Sequence, residues 1–575
     1  MPDQYQLLIG GLGDDAHSIG IGLLSLGFKD AGFNVLNLGI RNRIADFFKL
    51  AVHFDVIMIS NKNGHAEIYL KDFEELLAEY RLTRDAPKLW YLGGSLAVSL
   101  SDHQVKKKYL SMGFTNVYPK TITFQQILED IRQDLIRYNI PKRNSHINNR
   151  SVDKCPRMNF GELSDDRRSE EALQQERETV LREWRTGKEV RTTHFEPCRR
   201  PLDQLLWSRK TGGGAVLLQP RTGVADIEEQ IDKLLALQLA GSDIGSVQLD
   251  AASRSKLYQQ AEEFKDVSLG RKSSALNGFP IPVYGVSEVR RMVNSLATPF
   301  QLRAGGPDHR FTYEIALQAG ISGLEGGAIC YLMPYDKLTS PVDSIRNWQY
   351  IDRLCALYEQ FTGIAINREY FGVLTATLME PSIVITVNII QALLSAQQGV
   401  KSISPGYAEQ GNRIQDIAAV RALEECVNRY LHRFGFRDCR VTTVFHQYMA
   451  AFPSDLTKSE ELIFNSCITA SLAKATKMMV KTTAESTGIP TTRDNIEALG
   501  ICKRAIAVSA DHAIKSALIR EEQKLIVREV NQLMEVVIEL GGGQISVGAA
   551  KAIEEGILDI FCSPAASRQF NTSFT

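Results

Sequence analysis

Four groups of residues have the types and spacing that chemistry needs. The first is Asp15-x-His17-x-x-Gly20, which follows an apolar run at residues 5–9. A loop imidazole offers a ring nitrogen to a metal, and an acid two residues earlier can hold the other ring N–H, fixing the tautomer and raising ligand basicity. Gly20 would let a bulky ligand lie close to the backbone. A lone loop histidine is more often a solvated polar residue, so the triplet names a candidate only. Gly10, Gly11 and Gly13 could instead cradle a phosphate, but Asp14 and Asp15 follow and would repel one at a helix N-terminus. Dinucleotide binding is therefore disfavoured.

The second group is three arginines, each placed after a predicted strand: Arg221 in LLQPRTGVA, Arg254 in QLDAASR and Arg303 in FQLRAGGPDHR. Arginine's rigid fork grips a carboxylate through two donors, so three that converge suit a dicarboxylate. Singly, each is better read as a surface or salt-bridge residue. The third group surrounds Glu325 in LEGGAICYLMPY, where neighbouring glycines permit close approach. Glu325 can accept hydrogen bonds from a substrate ammonium or exchange a proton with it. The hydroxyls of Tyr331 and Tyr335 can reach the same ligand, unless both rings are simply core residues with polar tips. The fourth is Lys481 and Glu485 after KMMV, whose spacing by itself predicts an ion pair on a helix worth roughly a few tenths of a kcal/mol.

The elements that carry these groups follow from periodicity. Residues 5–9, 34–38, 56–60, 88–92 and 116–118 read as buried strands, with helical patterns at 19–31, 44–53 and 70–80 between them. Such alternation predicts βαβ units and a parallel sheet covered on both faces, in a flavodoxin-like doubly wound domain over residues 1–138. Residues 139–168 are polar and aperiodic and read as a flexible linker. Beyond them, strands are predicted at 215–218, 246–249, 300–303, 364–366, 400–404, 441–445 and 477–480. Seven or eight strands on this scale point to a (β/α)₈ TIM-type barrel with helical additions over residues 169–575, with a second doubly wound sheet as the other reading. In both architectures the loops at strand C-termini hold the ligands, and the first, second and fourth groups follow predicted strands.

Composition excludes several classes. The 575 residues are 44% hydrophobic and 23% charged, as in an ordinary globular chain. Lys plus Arg is 66 against 67 acids, so no global field draws the chain to nucleic acid or to an anionic membrane. The N-terminus lacks a signal-peptide layout, and no apolar run approaches the roughly 18 residues of a span. Nine cysteines without a Cys-x-x-Cys pair argue against a disulfide framework or a structural zinc, and the expectation is a cytoplasmic protein.

With these residues in view, the chain resembles glutamate mutase. Asp15-x-His17-x-x-Gly20 is similar to the signature of cobalamin-binding domains, in which the histidine becomes the lower cobalt ligand. Ser60 stands where the family has Ser-x-Leu, although Lys62 replaces its leucine. Gly93, Gly94 and Ser95, in GGSLAVS, resemble the stretch that wraps the displaced nucleotide tail. AGFNVLNLGI and MGFTNVYP resemble the small subunit. From about residue 170 to 560, TGKEV, QPRTGVA, LNGFP, WQYIDRL, QDIAA, VTTVFHQ and ATKMMVKT resemble the large subunit.

The resemblance implies adenosylcobalamin as cofactor, an acidic amino acid as substrate, and a radical rearrangement of L-glutamate to L-threo-3-methylaspartate. It implies that Arg221, Arg254 and Arg303 bind the substrate carboxylates, and that Glu325, Tyr331 and Tyr335 hold the substrate, with Glu325 nearest the amino group. Gly223, Asn277, Pro334, Phe452, Lys481, Glu485 and Ile489 match positions that line the cofactor, Lys481 and Glu485 at its ribose. It further implies a homodimer through the barrel and a large subunit that continues past the position of Thr575. Two departures bear on the pocket: Ala304 replaces a substrate-contacting histidine, and Leu324 replaces an asparagine. Both are expected to remove polar groups from around the substrate. A related mutase acting on another amino acid, or a regulatory cobalamin-binding protein without catalysis, remain as alternatives.

Overall fold

Five strands near the N-terminus pair in parallel in a computed structural model of the protein: β1 (Gln6–Gly11), β2 (Asn34–Asn37), β3 (Val56–Ser60), β4 (Leu89–Gly93) and β5 (Asn116–Tyr118). The structure describes residues 4–558, apart from 16, 81–87, 99, 120–121, 143–157, 272–273, 333–335, 337, 372–375, 487, 511 and 513. The strand order is β2-β1-β3-β4-β5, that of a flavodoxin-like doubly wound sheet. Leu7, Ile9, Val56 and Met58 enter one apolar cluster, while Leu8, Ile57 and Ile59 enter another on the opposite face. Burial on both faces is why these strands read as unbroken apolar runs. The order reverses between β1 and β3, so the crevice at their C-terminal ends is where such a sheet binds ligands.

The larger part is a parallel barrel. Its strands are β6 (Leu217–Pro220), β7 (Gly245–Gln248), β8 (Phe300–Arg303), β9 (Gly323–Glu325), β10 (Asn367–Tyr370), β11 (Ser402–Ala408), β12 (Arg440–Val441), β13 (Val444–His446) and β14 (Lys477–Val480). The order is β6-β14-β13-β11-β10-β9-β8-β7, and β12 pairs with β11 just upstream of β13, so the two form one interrupted stave. Side chains and loops close the ring between β6 and β7. Thr222 Oγ1 donates to the Ser246 carbonyl (2.6 Å), Ser246 Oγ to that of Pro220 (2.7 Å), and the Gln248 N–H to that of Thr222 (2.7 Å). The result is a (β/α)₈ barrel, as expected.

Two strands differ from the sequence reading. β9 was not foreseen, and the strand expected at 364–366 lies at Asn367–Tyr370. Neither offers an apolar run: Gly323–Glu325 holds a single apolar side chain, and Asn367–Tyr370 sets Arg368 beside Glu369. Arg303, Glu325 and Glu369 are register partners across β8, β9 and β10. Partners in neighbouring parallel strands share a face, here the barrel interior. Leu302, Leu324 and Arg368 form the alternate row, which faces outward, and Arg368 Nε meets Asp352 of the helix Pro341–Thr362 at 2.6 Å. This corrects one expectation. Leu324 is fully buried on the outer face of β9, so the missing asparagine takes nothing from the substrate side.

The flexible linker expected over 139–168 is shorter at its C-terminal side. Leu163 is buried in the barrel's apolar cluster, and Asp165 accepts the N–H groups of Ile545 (2.6 Å) and Ser546 (2.8 Å), capping the helix Ile545–Glu554. The segment 143–157 lies outside the described residues. No apolar cluster among the described residues joins the N-terminal sheet to the barrel. Among the described residues no single helix is long and apolar enough to cross a membrane.

Candidate active site between the two sheets

The loop after β1 holds Asp15 and His17. Asp15 is fully buried, and each of its oxygens is used. Oδ2 accepts the N–H of Lys62 (2.6 Å), while Oδ1 accepts the His17 N–H (3.2 Å) and lies 2.5 Å from His17 Nδ1. A carboxylate can only accept, so Nδ1 carries a proton, and in the neutral imidazole the lone pair then falls on Nε2. The His17 side chain is 55% exposed and its Nε2 meets no described residue. Asp15 thus presents the other nitrogen outward, as a ligating histidine requires.

Ser60 ends β3, and its carbonyl accepts the Leu12 N–H (2.8 Å). At the end of β4, Gly94 has φ +124°, and a Cβ there would fall inside the Asn61 carbonyl, so only glycine serves. Ser95 is exposed, and its carbonyl accepts the Gly64 N–H (2.9 Å). Among the described residues a Cβ at Gly93 would meet Tyr118 at 3.8 Å, and one at Gly20 would meet nothing within 4 Å.

The barrel mouth gathers most of the other candidates. Arg303, buried at the end of β8, has Nη1 2.9 Å from Glu369 Oε1 and Nη2 3.5 Å from Glu325 Oε1. The Tyr331 hydroxyl donates to Glu325 Oε1, while Oε2 is buried without a hydrogen-bond partner among the described residues. Burial, reinforced by Glu369 and opposed by Arg303, pushes the Glu325 carboxyl up to about 7. Lys481 Nζ meets Glu485 Oε2 at 2.7 Å, and Arg221 Nη2 meets Oε1 of the same carboxylate at 3.1 Å. Burial would raise the Glu485 carboxyl, but Lys481 and Arg221 outweigh it and hold it down at about 2. Burial and the nearby Arg221 draw the Lys481 ammonium down to about 8. The ion pair expected at this spacing is present, but it joins Lys481, just after β14, to Glu485 on the 3₁₀ turn Thr483–Ser486 rather than two residues of an α-helix.

Arg254 ends the short helix Ala251–Arg254 after β7 and makes no side-chain hydrogen bond or ion pair with a described residue. Gly223 allows close approach: a Cβ there would stand 2.8 Å from Gly278 Cα. Phe452 is half-buried, and Ile489 is 60% exposed. Pro334 and Tyr335 lie outside the described residues.

The two sheets meet through their ligand-binding ends. Asn277 Oδ1 accepts the Ala251 N–H (2.9 Å), and its Nδ2 donates to the Asn63 carbonyl (3.2 Å) in the loop after β3. His65 Nε2 lies 3.2 Å from the Ala275 carbonyl, and its ring lies against Phe264. Arg41, after β2, pairs with Asp336, beyond β9. These contacts bring the Asp15–His17 loop and the charged barrel mouth to one junction.

The sequence reading missed Glu369, Lys477 and His446, which line the barrel interior beneath this mouth. Lys477 opens the KMMV strand and His446 lies within VTTVFHQ. For Lys477 the available signal was a charged residue opening the otherwise apolar KMMV; Glu369, in NREY, offered none.

The chain matches the family model of the methylaspartate mutase E chain over residues 197–572. It is 39% identical over 414 residues to the glutamate mutase epsilon subunit of Yersinia enterocolitica, which covers 70% of this chain and 85% of that one. The glutamate mutase epsilon subunit of Haloarcula marismortui is 37% identical over 412 residues (70% and 82%). That of Treponema denticola is 39% identical over 404 residues (69% and 82%).

Proposed function

This chain belongs to the methylaspartate mutase E chain family and is an isomerase of the glutamate mutase type, and on that premise we propose that it interconverts L-glutamate and L-threo-3-methylaspartate with adenosylcobalamin. We further propose that residues 1–138 are the cobalamin-binding part, joined in one chain to the catalytic barrel. The observation that carries this reading is His17: its Nδ1 is committed to Asp15, and its Nε2 is exposed at the junction that the barrel mouth faces.

The residues present fit the cofactor. Asn61 Oδ1 and Asp250 Oδ2 are buried near the junction without hydrogen-bond partners, and a macrocycle rimmed by amides offers donors for both. Asp15, His17, Gly20, Ser60, Gly93, Gly94 and Ser95 would hold it from the N-terminal side, and Gly223, Asn277, Pro334, Phe452 and Ile489 from the barrel. Lys481 and Glu485 would take the ribose hydroxyls. When bound, adenosylcobalamin supplies the radical chemistry that the side chains cannot.

The chain's own residues bind, orient and hold protons. Arg221, Arg254 and Arg303 are assigned the two substrate carboxylates, and gripping both keeps the reacting fragments in place. Glu325 takes the substrate ammonium, with Tyr331 beside it, and Tyr335 is assigned to the same ligand. A carboxyl poised at about 7 can both accept and release a proton at neutral pH. Ala304 favours a second reading, a related mutase whose amino acid differs from glutamate; Leu324, on the outer face of β9, adds nothing to it. The test is direct: purified protein, adenosylcobalamin and glutamate, with methylaspartate as the readout. Absence of methylaspartate, alongside turnover of another amino acid, would transfer the assignment to the second reading.

A further inference from the structure

Beneath the substrate arginines lies a buried charge cluster to which the reading above gives no role. Glu369 is completely buried on β10, and both its oxygens are occupied. Oε1 takes Arg303 Nη1 at 2.9 Å. Oε2 takes Gln301 Nε2 at 2.8 Å and Lys477 Nζ at 2.5 Å. Lys477, equally buried, reaches in from β14 and also donates to Gln219 (2.6 Å) and Gln301 (3.1 Å). Burial would raise the Glu369 carboxyl, yet Lys477 and Arg303 hold it well below the usual carboxylate range. It is a fixed negative charge.

Arg303 is correspondingly one-sided. Nη1 is spent on Glu369, with Gln301 and Met479 each a further 3.5 Å contact. Nη2 faces Glu325 only at 3.5 Å, and Nε has no described partner. A guanidinium fork binds a carboxylate through one edge at a time. We propose that Glu369, locked by Lys477, is a positioning residue: it anchors the Nη1 side of Arg303 so that the Nη2–Nε edge is presented to a carboxylate of the substrate. This rests on the amino-acid mutase reading for the identity of that carboxylate, while the anchoring itself does not.

The test uses the full chain with two variants, Glu369→Gln alone and Glu369→Gln combined with Lys477→Met. With adenosylcobalamin and glutamate, both are expected to raise KM about ten- to a hundredfold, the loss of one charge-assisted hydrogen bond, with much less change in kcat. The second readout needs no turnover. The Glu325 carboxyl is titrated by infrared difference spectroscopy in cofactor-free protein, with Glu325→Gln assigning its band. Glu325 faces Arg303 from β8, Glu369 from β10, Lys477 from β14, Tyr331 and Cys330 from the loop after β9, and Tyr313 from the helix Arg310–Gln318. Removing Glu369 alone takes away a like charge and lowers the midpoint. The double variant removes one charge of each sign, so a fall that persists in it reports a freed Arg303 swinging onto Glu325. A KM within about twofold of the unaltered protein in a folded variant would overturn the proposal. So would a double-variant midpoint equal to that of the unaltered protein. If the single variant fails to fold, the double variant decides. If the unaltered protein converts no glutamate, the mutase reading fails, and the infrared midpoint alone decides the anchoring.

Discussion

Replacing Tyr331 with phenylalanine removes the hydroxyl that donates to Glu325 Oε1, while Arg303 Nη2 stays 3.5 Å away. That hydrogen bond favours the ionised carboxylate, and a hydrogen bond to a charged group is worth about 1.5–3 kcal/mol. One pH unit corresponds to about 1.4 kcal/mol, so the Glu325 midpoint should rise by about one to two units from its starting value of about 7. A carboxylate is the form that accepts a substrate ammonium. Hence kcat/KM for glutamate should fall on the acid side, with a midpoint at about 7 in the unaltered protein and at about 8–9 in Tyr331→Phe. The assay is kcat/KM across neutral pH under adenosylcobalamin saturation. The folded carboxyl titrates above its unfolded value, so it costs stability above that value, fully so once the pH exceeds about 7. Glu325→Gln should therefore melt higher than the unaltered protein at pH 8, by at most about 3 kcal/mol, and no higher at pH 4. An acid midpoint that moves down in Tyr331→Phe, or a wild-type midpoint in the ordinary carboxylate range, would refute the reasoning.

Three further outcomes are expected. His17→Gly should abolish nitrogen hyperfine coupling to cobalt in the electron paramagnetic resonance spectrum and weaken cobalamin binding; coupling that persists would remove His17 as the ligand. Ala304→His should tighten glutamate about ten- to a hundredfold if it restores a charge-assisted hydrogen bond, read as a fall in KM. An unchanged KM, together with good conversion of a monocarboxylate amino acid, would favour the second reading. Leu324→Asn should leave KM for glutamate unchanged and lower stability by about 1–3 kcal/mol, because it buries an amide on the outer face of β9, as a thermal melt would show.

The N-terminal sheet was legible almost to the residue because burial on both faces writes each strand as an apolar run. Residues 56–60 and 116–118 are strands with the expected limits, and so, in the barrel, are 300–303 and 477–480. The barrel's polar lining was harder to read. In Asn367–Tyr370 the inward Glu369 and outward Arg368 are both charged, so neither an apolar run nor an alternation marks the strand. The apolar residues just before it, at 364–366, drew the prediction upstream. Arg303, Glu325 and the pair of Lys481 with Glu485 were found because they flank glycines or strand ends. Glu369 and Lys477 escaped because their partners are 66 and 258 residues away in sequence, Arg303 and Gln219 respectively, and only register brings them together. The two family departures also separate only in three dimensions: strand alternation turns Leu324 away from the chamber where Glu325 points.

Among the described residues the junction between the two parts carries an ion pair, an asparagine amide and a histidine on a backbone carbonyl, with no apolar cluster running through it. Water can replace each of those polar partners, whereas it cannot replace apolar packing. Parting the two halves would therefore leave both cores dry and both folds intact, at the cost of rewetting a few polar groups. The molecule is built like a clasp rather than a weld. If the chamber takes the proposed cofactor, such a parting would admit it without unfolding either half.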